Sequence, residues 1–219
     1  MKKGIIFDMD GILFDTEKLS LESFRITGKE YNLTEYNIDE IAADCVGLNG
    51  NDTRTLFMNK YPKLEFESFW NRVKVHFAAL LEQDLPLKPG AEEILNYLYE
   101  NKWTIGLASS SRIESVTSHL KRSGFEKYFQ VVIGGDMVEH SKPQPDIYLK
   151  ACELLKLDPK ETYAVEDSFN GIRSAYSAGM KTIMIPDLLQ PTAEIEEKLT
   201  YKLDSLKELL ECIKKNKIA

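Results

Sequence analysis

The sequence predicts an α/β fold, with a Rossmann-like parallel-sheet core and an inserted α-helical cap domain. After residue 85, short apolar runs alternate with helix-patterned segments, as in right-handed βαβ units. Before residue 85, apolar residues recur every three or four positions, and strand-like residues occur only near the N-terminus. The expected core comprises residues 1–14 and 85–219, and the expected helical domain comprises residues 15–84.

The expected elements follow in chain order. The run KGIIFD at residues 3–8 is the first strand, because it is apolar and ends in a polar, glycine-containing turn. Helical periodicity then extends from about Thr16 to Gln83, with a loop expected from Asp44 to Asn51. The later expected strands are WTIGLAS, QVVIGG, TYAVED and KTIMIP. The expected helices are AEEILNYLYENK, RIESVTSHLKRSG, PDIYLKACELLK and SFNGIRSAYSAG. The tail YKLDSLKELLECIKK predicts a short strand and a last helix.

Composition and charge restrict the class of protein. The 219 residues include 28 Lys and Arg against 35 Asp and Glu, a net charge of −7, which argues against nucleic acid or an anionic membrane as the main partner. The sequence predicts neither a membrane span nor a secretory signal. Three scattered cysteines fit a reducing compartment, so a cytoplasmic location is expected.

Acidic residues follow the first and fourth expected strands. Asp8 and Asp10 lie two positions apart, so their carboxylates point the same way in extended chain, and Gly11 permits a sharp turn after them. Glu166 and Asp167 end the fourth strand. Ligands of open parallel sheets bind at the carboxyl ends of the strands. Like charges gathered there need a compensating hard cation with oxygen ligands.

Polar residues also follow the second and third strands. Ser109 and Ser110 precede a helix, where hydroxyl and backbone N–H groups suit a phosphate, although serines can also simply cap the helix. In HSKPQPD, two prolines stiffen the loop and can hold Lys142 in one direction. Acidic residues at strand ends can likewise belong to ordinary turns or caps. Together, the four strand ends favour a metal-dependent site for an anionic ligand.

These four segments resemble the motifs of the haloacid dehalogenase superfamily: FDMDG the first, LASSS the second, SKPQPD the third and VEDS the fourth. Their order and spacing, over nearly the whole chain, are similar to the branch with a helical cap inserted after the first motif. Within that branch the chain resembles phosphatases and β-phosphoglucomutases. The resemblance implies a hydrolase of a small phosphorylated metabolite, expected to be a sugar phosphate, with Mg²⁺ as cofactor. A monomer is expected.

The resemblance implies a role for each matching residue. Asp8 would attack phosphorus and form an aspartyl-phosphate, and Asp10 would act as general acid and base. Ser109 and Ser110 would bind phosphoryl oxygens, and Lys142 would balance charge between the nucleophile and the phosphoryl group. The implied metal ligands are Asp8, the main-chain carbonyl of Asp10, Asp167 and, directly or through water, Glu166.

The residues bear on three alternatives to a phosphatase. The dehalogenases of the family lack the second aspartate, so Asp10 favours phosphoryl chemistry. A sugar-phosphate mutase stays open, because it uses the same core. Mutases have a cap histidine and a cap arginine for a second phosphate, but Ser20 and Gly50 lie near those positions here, with Arg54 one turn further on. Without such cations water can attack the aspartyl-phosphate, which favours a phosphatase. A non-catalytic binding protein of the same fold also remains open.

Cap residues select the substrate in this branch, as the resemblance implies. Thr16, with Asp15, would lie at the hinge of the cap, and Thr16 is also a candidate phosphate contact. His76 is more typical of a structural residue, and His119 needs no functional explanation. The candidates expected to face the cleft are Ser20, Asn49, Gly50, Asn51, Arg54, Arg72, Lys74 and His76.

Overall fold

The computed structural model describes residues 3–33, 36–45 and 50–218, and in residues 50–52 only the backbone is described. The chain divides into two compact units, Met1–Phe14 with Leu87–Ala219, and Asp15–Pro86. The second boundary follows Pro86 rather than residue 84, because the Asp15 N–H donates a hydrogen bond to the Pro86 carbonyl oxygen at 2.8 Å. The first unit is called the α/β unit below, and the second the helical unit.

The α/β unit is built on a parallel sheet. Its strands within the described residues are β1 (Gly4–Phe7), β2 (Thr104–Ala108), β3 (Val131–Ile133), β4 (Thr162–Glu166), β5 (Lys181–Met184) and β6 (Tyr201–Lys202). Their order across the sheet is β3-β2-β1-β4-β5-β6, and each neighbouring pair is parallel. Ile5 of β1 is in register with Ile105 of β2 and Tyr163 of β4. The first strand of the sequence therefore lies between β2 and β4, near the centre of the sheet.

Strand β1 is buried along its whole length, as expected for a parallel strand covered on both faces. Its residues Ile5, Ile6 and Phe7 have no exposed surface. Ile6 belongs to an apolar cluster that also includes Tyr148 and Cys152. Burial of this apolar run stabilises the sheet by about 1.5–3 kcal/mol for each large side chain. The two strands beside it, and the polar residues that follow them, are thereby fixed in position.

The helical unit has four helices in its described part: α1 (Thr16–Glu30), α2 (Ile38–Cys45), α3 (Gly50–Lys60) and α4 (Phe66–Gln83). Their apolar faces meet in an aromatic core, where the Phe57 ring lies 5.5 Å from the Phe69 ring, centroid to centroid. Helical periodicity therefore predicted the elements correctly. The loop expected from Asp44 to Asn51 is wrong at both ends, because α2 extends to Cys45 and α3 begins at Gly50. Asp44 at the end of α2 accepts a hydrogen bond from Lys60 Nζ at 2.6 Å.

The remaining helices belong to the α/β unit: α5 (Ala91–Glu100), α6 (Ile113–Ser123), α7 (Asp146–Leu155), α8 (Phe169–Ser177), α9 (Ala193–Glu196) and α10 (Leu206–Lys214). Gly124 ends α6 with φ of +71°, as its position after the helix predicted. The four-residue helix α9 was not predicted. The alternation of strands and helices confirms the predicted fold class, an α/β fold with a parallel sheet. Among the described residues, no helix combines the length and the apolar character needed to cross a membrane.

Candidate active site

The polar strand ends meet because β1 lies between β2 and β4. Asp8 follows β1, and its N–H donates to the carbonyl oxygen of Val165 in β4 at 2.9 Å. Ser109 follows β2, and its N–H donates to the carbonyl oxygen of Ile133 in β3 at 3.0 Å. Asp167 follows β4 directly. The ends of β3, β2, β1 and β4 therefore lie side by side in that order, and Lys142 reaches Asp8 from the loop that follows β3.

The chain turns sharply after Asp8. Gly11 has φ of +76°, a backbone conformation that side chains with a Cβ atom rarely adopt. A Cβ atom on Gly11 would also lie 2.2 Å from Asp167 Oδ2. Glycine is required there for both reasons. Because it has no side chain, the turn after β1 packs directly against the Asp167 carboxylate.

Lys142 is the cation at the centre of the site. Its side chain is only 5% exposed. The ammonium donates to Asp8 Oδ1 at 2.6 Å, to Glu166 Oε1 at 2.7 Å and to the Ala108 carbonyl oxygen at 3.0 Å. Lys142 therefore links the strand ends of β1, β2 and β4, as expected for a residue that balances charge there.

Glu166 is completely buried and is enclosed by donors. Besides Lys142, the Tyr148 hydroxyl donates to Glu166 Oε1 at 2.6 Å, and Ser168 Oγ donates to Oε2 at 3.1 Å. Gly171 packs directly against this carboxylate, because a Cβ atom at this position would lie within about 2 Å of it. The position of this carboxylate is thus determined by four surrounding residues.

Gly171→Ala is expected to displace the Glu166 carboxylate and to lower the turnover number at least tenfold, since Lys142 would move with it. The overlap should also cost about 1–3 kcal/mol of folding stability. Steady-state kinetics and urea unfolding measure the two effects. Gly124→Ala is the control, because nothing lies within 4 Å of a Cβ atom there and only backbone strain of about 1–2 kcal/mol is added. Equal turnover in both variants and wild type would contradict the role given to Gly171.

Asp8, Glu166 and Asp167 form the acid cluster. One carboxylate oxygen from each lies within 4.8 Å of the others. Burial raises the pKa of Asp8 to about 8; Lys142 opposes the shift, and the charges of Glu166 and Asp10 add to it. Bringing these carboxylates together is therefore costly without a further cation. Oxygen ligands at this spacing suit a hard cation such as Mg²⁺, so the residues fit the predicted metal.

Asp10 lies next to the serines that follow β2. Ser111 Oγ donates to Asp10 Oδ2 at 3.1 Å, and the Ser111 N–H donates to Ser109 Oγ at 3.1 Å. Ser109 is buried, whereas Ser110 is exposed. Because the Ser109 oxygen accepts its bond from a backbone N–H, its own hydroxyl proton is available for a bound anion.

The helix after these serines begins later than predicted. Helix α6 starts at Ile113, and Arg112 precedes it without a side-chain cap. Asp136, from the segment after β3, accepts the hydrogen bond of the Ile113 N–H at 2.8 Å. The predicted helix start at Arg112 is therefore one residue too early. The serines form a turn of their own, and an aspartate far along the chain occupies the helix N-terminus.

Hydrogen bonds hold the loop that carries Lys142 at both ends. His140 Nδ1 lies 2.9 Å from Asp146 Oδ1, and this contact raises the pKa of His140 and lowers the pKa of Asp146. Ser174 Oγ in α8 donates to the carbonyl oxygen of Gln144 at 2.6 Å. The sequence predicted a stiff loop from its prolines, and hydrogen bonds to two helices add to that stiffness.

Several of the predicted substrate contacts belong to the helical unit. Thr16 is buried at the first position of α1, and Ser20 lies on the same helix. Arg54 is exposed on α3 and lies 3.5 Å from Glu67 of α4. Asn49 lies outside the described residues, as do the side chains at positions 50–52. Gly50 is the first residue of α3. Their roles toward a substrate stay predictions.

Arg72 and His76 both contact Glu30 inside the helical unit. Arg72 donates to both carboxylate oxygens of Glu30, at 2.7 and 2.5 Å, and His76 Nε2 lies 2.9 Å from Glu30 Oε1. These contacts join α4 to α1. The structural interpretation of His76 agrees with this position, whereas Arg72 has a partner that the sequence did not indicate. Lys74 is exposed on α4.

Four residues of the site were not predicted from the sequence. Ser111 contacts Asp10, and Tyr148, Ser168 and Gly171 surround Glu166. The run of three serines was a signal for Ser111, and the glycine just after the fourth motif was a signal for Gly171. Nothing near Tyr148 in the sequence separates it from an ordinary core tyrosine.

The chain is similar to several known proteins over most of its length. The profile described as haloacid dehalogenase-like hydrolase matches residues 5–185. A phosphorylated carbohydrates phosphatase of Thermotoga maritima is 31% identical over 182 residues, 83% of each chain. The pyrophosphatase PpaX of Bacillus mycoides is 29% identical over 94% of each chain. The crystal structure of CbbY from Rhodobacter sphaeroides in complex with phosphate is 27% identical, with a TM-score of 0.75 over 95% of this chain and 96% of that one.

Proposed function

The chain belongs to the haloacid dehalogenase-like hydrolase family, and on this basis we propose that it is a phosphatase of a small phosphorylated metabolite, with sugar phosphates as the first substrate class. The family match confirms the resemblance drawn from the four motifs. A relative named as a phosphorylated carbohydrates phosphatase supports the substrate class. The observation that carries the proposal is the buried 2.6 Å contact between Lys142 Nζ and Asp8 Oδ1 beside the acid cluster.

Asp8 is the nucleophile of the proposed first step. One of its carboxylate oxygens forms a bond to phosphorus while the bond between phosphorus and the ester oxygen breaks. Asp10 gives its proton to the departing oxygen, which leaves as an alcohol. Lys142 offsets the negative charge at Asp8, and the Ser109 hydroxyl donates to a phosphoryl oxygen. The products of this step are the free alcohol and an aspartyl-phosphate on Asp8.

Water completes the proposed reaction. Asp10, now ionised, takes a proton from a water molecule while the water oxygen bonds to phosphorus. The bond between phosphorus and Asp8 breaks, so inorganic phosphate leaves and both aspartates return to their starting states. Ser111 supports this double use of Asp10, because its hydroxyl holds the Asp10 carboxylate in one orientation at 3.1 Å.

Mg²⁺ is the proposed cofactor. Asp8, Asp167 and the main-chain carbonyl of Asp10 would hold it, with Glu166 bound directly or through water. When bound, the ion neutralises the carboxylates and the substrate charge, which otherwise repel each other. The raised pKa of Asp8 in the protein without metal is consistent with a site that needs this charge.

The helical unit is proposed as a cap that selects the substrate. Neither Ser20 nor Gly50 supplies the cation that a mutase of this family places near those positions. Arg54 lies 3.5 Å from Glu67 at the surface of the helical unit. Because neither position 20 nor position 50 carries a cation, water is the expected acceptor of the phosphoryl group. Phosphatase activity is therefore favoured over mutase activity.

The proposed setting is a cytoplasmic monomer without a nucleic-acid or membrane partner. Cys45, Cys152 and Cys212 are all free thiols, which suits a reducing compartment. The net charge of −7 supports a small-molecule substrate over nucleic acid. Analytical ultracentrifugation of the purified protein measures its oligomeric state.

Incubation with a panel of phosphorylated compounds tests the proposal. The panel contains sugar phosphates, pyrophosphate, and β-glucose 1-phosphate with a trace of glucose 1,6-bisphosphate. We expect inorganic phosphate from at least one sugar phosphate in the presence of Mg²⁺. Chelation by EDTA should lower the rate at least about 100-fold, since the ion stabilises the transition-state charge by several kcal/mol. Phosphate and glucose 6-phosphate are measured in parallel.

The outcomes separate the alternatives. Glucose 6-phosphate formed without phosphate release would establish a mutase and would assign the second phosphate site to another cap cation. Phosphate release from pyrophosphate alone would replace the sugar-phosphate substrate class. If folded protein with Mg²⁺ gives neither product, the catalytic proposal fails and the non-catalytic alternative takes its place.

A further inference from the structure

Tyr148 is a fully buried titratable residue that the mechanism above does not use. It lies on α7, and its hydroxyl donates to Glu166 Oε1 at 2.6 Å. The Lys142 ammonium lies 5.1 Å from the centroid of its ring. We propose that Tyr148 is a positioning residue that fixes Glu166 and, through Glu166, the direction of Lys142 toward Asp8. This inference rests on the proposed function, in which Lys142 balances the charge of the nucleophile.

Three hydrogen bonds hold the Glu166 carboxylate in one plane. Oε1 accepts from both Tyr148 and Lys142, at 2.6 and 2.7 Å, while Oε2 accepts from Ser168 at 3.1 Å. Without Tyr148, the carboxylate would keep one donor at each oxygen and could rotate away from its present plane. The tyrosine hydroxyl is therefore the third donor that prevents this rotation.

Three hydrogen bonds set the direction of the Lys142 ammonium. An ammonium group has three N–H donors, and Asp8, Glu166 and the Ala108 carbonyl oxygen are three acceptors within 3.0 Å. A lysine side chain is a flexible stem, so its direction is set by its acceptors. A shift of the Glu166 carboxylate would therefore move the ammonium relative to Asp8.

The ring of Tyr148 acts together with its hydroxyl. Its face lies next to the Lys142 ammonium, where the ring quadrupole attracts a cation. Burial, with the charge of Glu166, raises the pKa of Tyr148 well above its ordinary value, so the hydroxyl remains a donor. One side chain thus contacts both members of the Lys142–Glu166 ion pair.

Tyr148→Phe removes the hydroxyl and keeps the ring. Tyr128→Phe is the matched control, because Tyr128 is equally buried in the α/β unit and its hydroxyl donates to Asn96 Oδ1, outside the acid cluster. We expect Tyr148→Phe to lower kcat about tenfold, with KM within about twofold of wild type, since misplacement of a catalytic group affects turnover. Tyr128→Phe should leave both constants unchanged. Both variants should show a similar small decrease in the urea midpoint.

A second measurement does not depend on turnover. The ammonium protons of a buried, hydrogen-bonded lysine give a signal in ¹H–¹⁵N NMR spectra, and the Lys142 signal is identified by its absence in Lys142→Met. We expect this signal to shift or broaden in Tyr148→Phe and to stay unchanged in Tyr128→Phe.

The two measurements decide the inference. It is overturned if the Lys142 signal of Tyr148→Phe equals that of wild type, or if Tyr128→Phe changes it equally. It is also overturned if wild type is active and Tyr148→Phe keeps the same kcat. If wild type releases no phosphate from any panel compound, the proposed function fails, whereas the NMR signal still decides whether Tyr148 positions Lys142.

Discussion

Asp8→Asn should lower phosphate release on the order of 10⁴-fold, as expected when the nucleophile of a covalent mechanism is removed. The amide has nearly the shape of the carboxylate, but it cannot form the acyl-phosphate bond. Lys142 and the serines stay in place, so substrate binding should persist. Single-turnover measurement of phosphate, with the best panel substrate and saturating Mg²⁺, gives the rate.

Asp158→Asn is the control for this change. Asp158 is exposed, and its carboxylate accepts a hydrogen bond from the Lys160 N–H at 3.0 Å. That variant should keep wild-type turnover. Asp8→Asn should also remain folded, because it removes one charge from the acid cluster. A folded Asp8→Asn variant with wild-type turnover would exclude the aspartyl-phosphate mechanism.

Lys142→Met should destabilise the protein by about 3–5 kcal/mol at pH 8, the cost of leaving a buried charge without its partner. Asp8 and Glu166 are nearly or fully buried, and both accept hydrogen bonds from this lysine. Urea unfolding in EDTA measures the change in the free energy of unfolding without a contribution from metal. Turnover should be lost as well, since Asp8, the proposed nucleophile, loses its counterion.

The loss of stability in Lys142→Met should depend on pH. The pKa of Asp8 is raised from 3.8 to about 8 in the folded protein, so the folded state holds this proton more tightly than the unfolded state. The contribution of Asp8 to the free energy of unfolding is therefore fully present at low pH, and it falls as the pH rises from about 4 to about 8. Removing Lys142 raises the pKa of Asp8 further. The difference between variant and wild type should thus be smaller at pH 6 than at pH 8.

Lys181→Met is the matched control for Lys142→Met. Lys181 forms a 2.8 Å ion pair with Glu161 at the surface. Its loss should cost less than about 1 kcal/mol, with little dependence on pH in this range. A similar, pH-independent loss in both variants would show that Lys142 contributes no more than a surface lysine.

The sequence predicted the parts of the site that depend on strand ends. Asp8, Ser109 and Asp167 each follow an apolar run, and a parallel sheet brings such positions to one edge. Lys142 was predicted to point in a fixed direction, and the structure places it against Asp8. These predictions succeeded because local periodicity and the parallel arrangement decide them.

Contacts between distant elements could not be predicted in the same way. The Tyr148 hydroxyl reaches Glu166 only because α7 packs beside the sheet, and Asp136 reaches the start of α6 from another loop. The pattern of apolar residues in one segment does not indicate which distant residue will contact it. The start of the loop expected from Asp44 to Asn51 was placed too early for a related reason, since Asp44 lies in α2 and accepts a hydrogen bond from Lys60 of the next helix.

The position of β1 in the sheet has a consequence for biosynthesis. Its neighbours β2 and β4 begin at Thr104 and Thr162, so the ribosome must add about 100 residues before the first partner strand exists. At roughly 5–20 residues per second, the nascent chain carries an unpaired apolar strand for on the order of 5–20 s. The described helices α1 to α4 are synthesised in that interval. We expect newly made chains to need protection of residues 4–7, and chains truncated before β2 to aggregate.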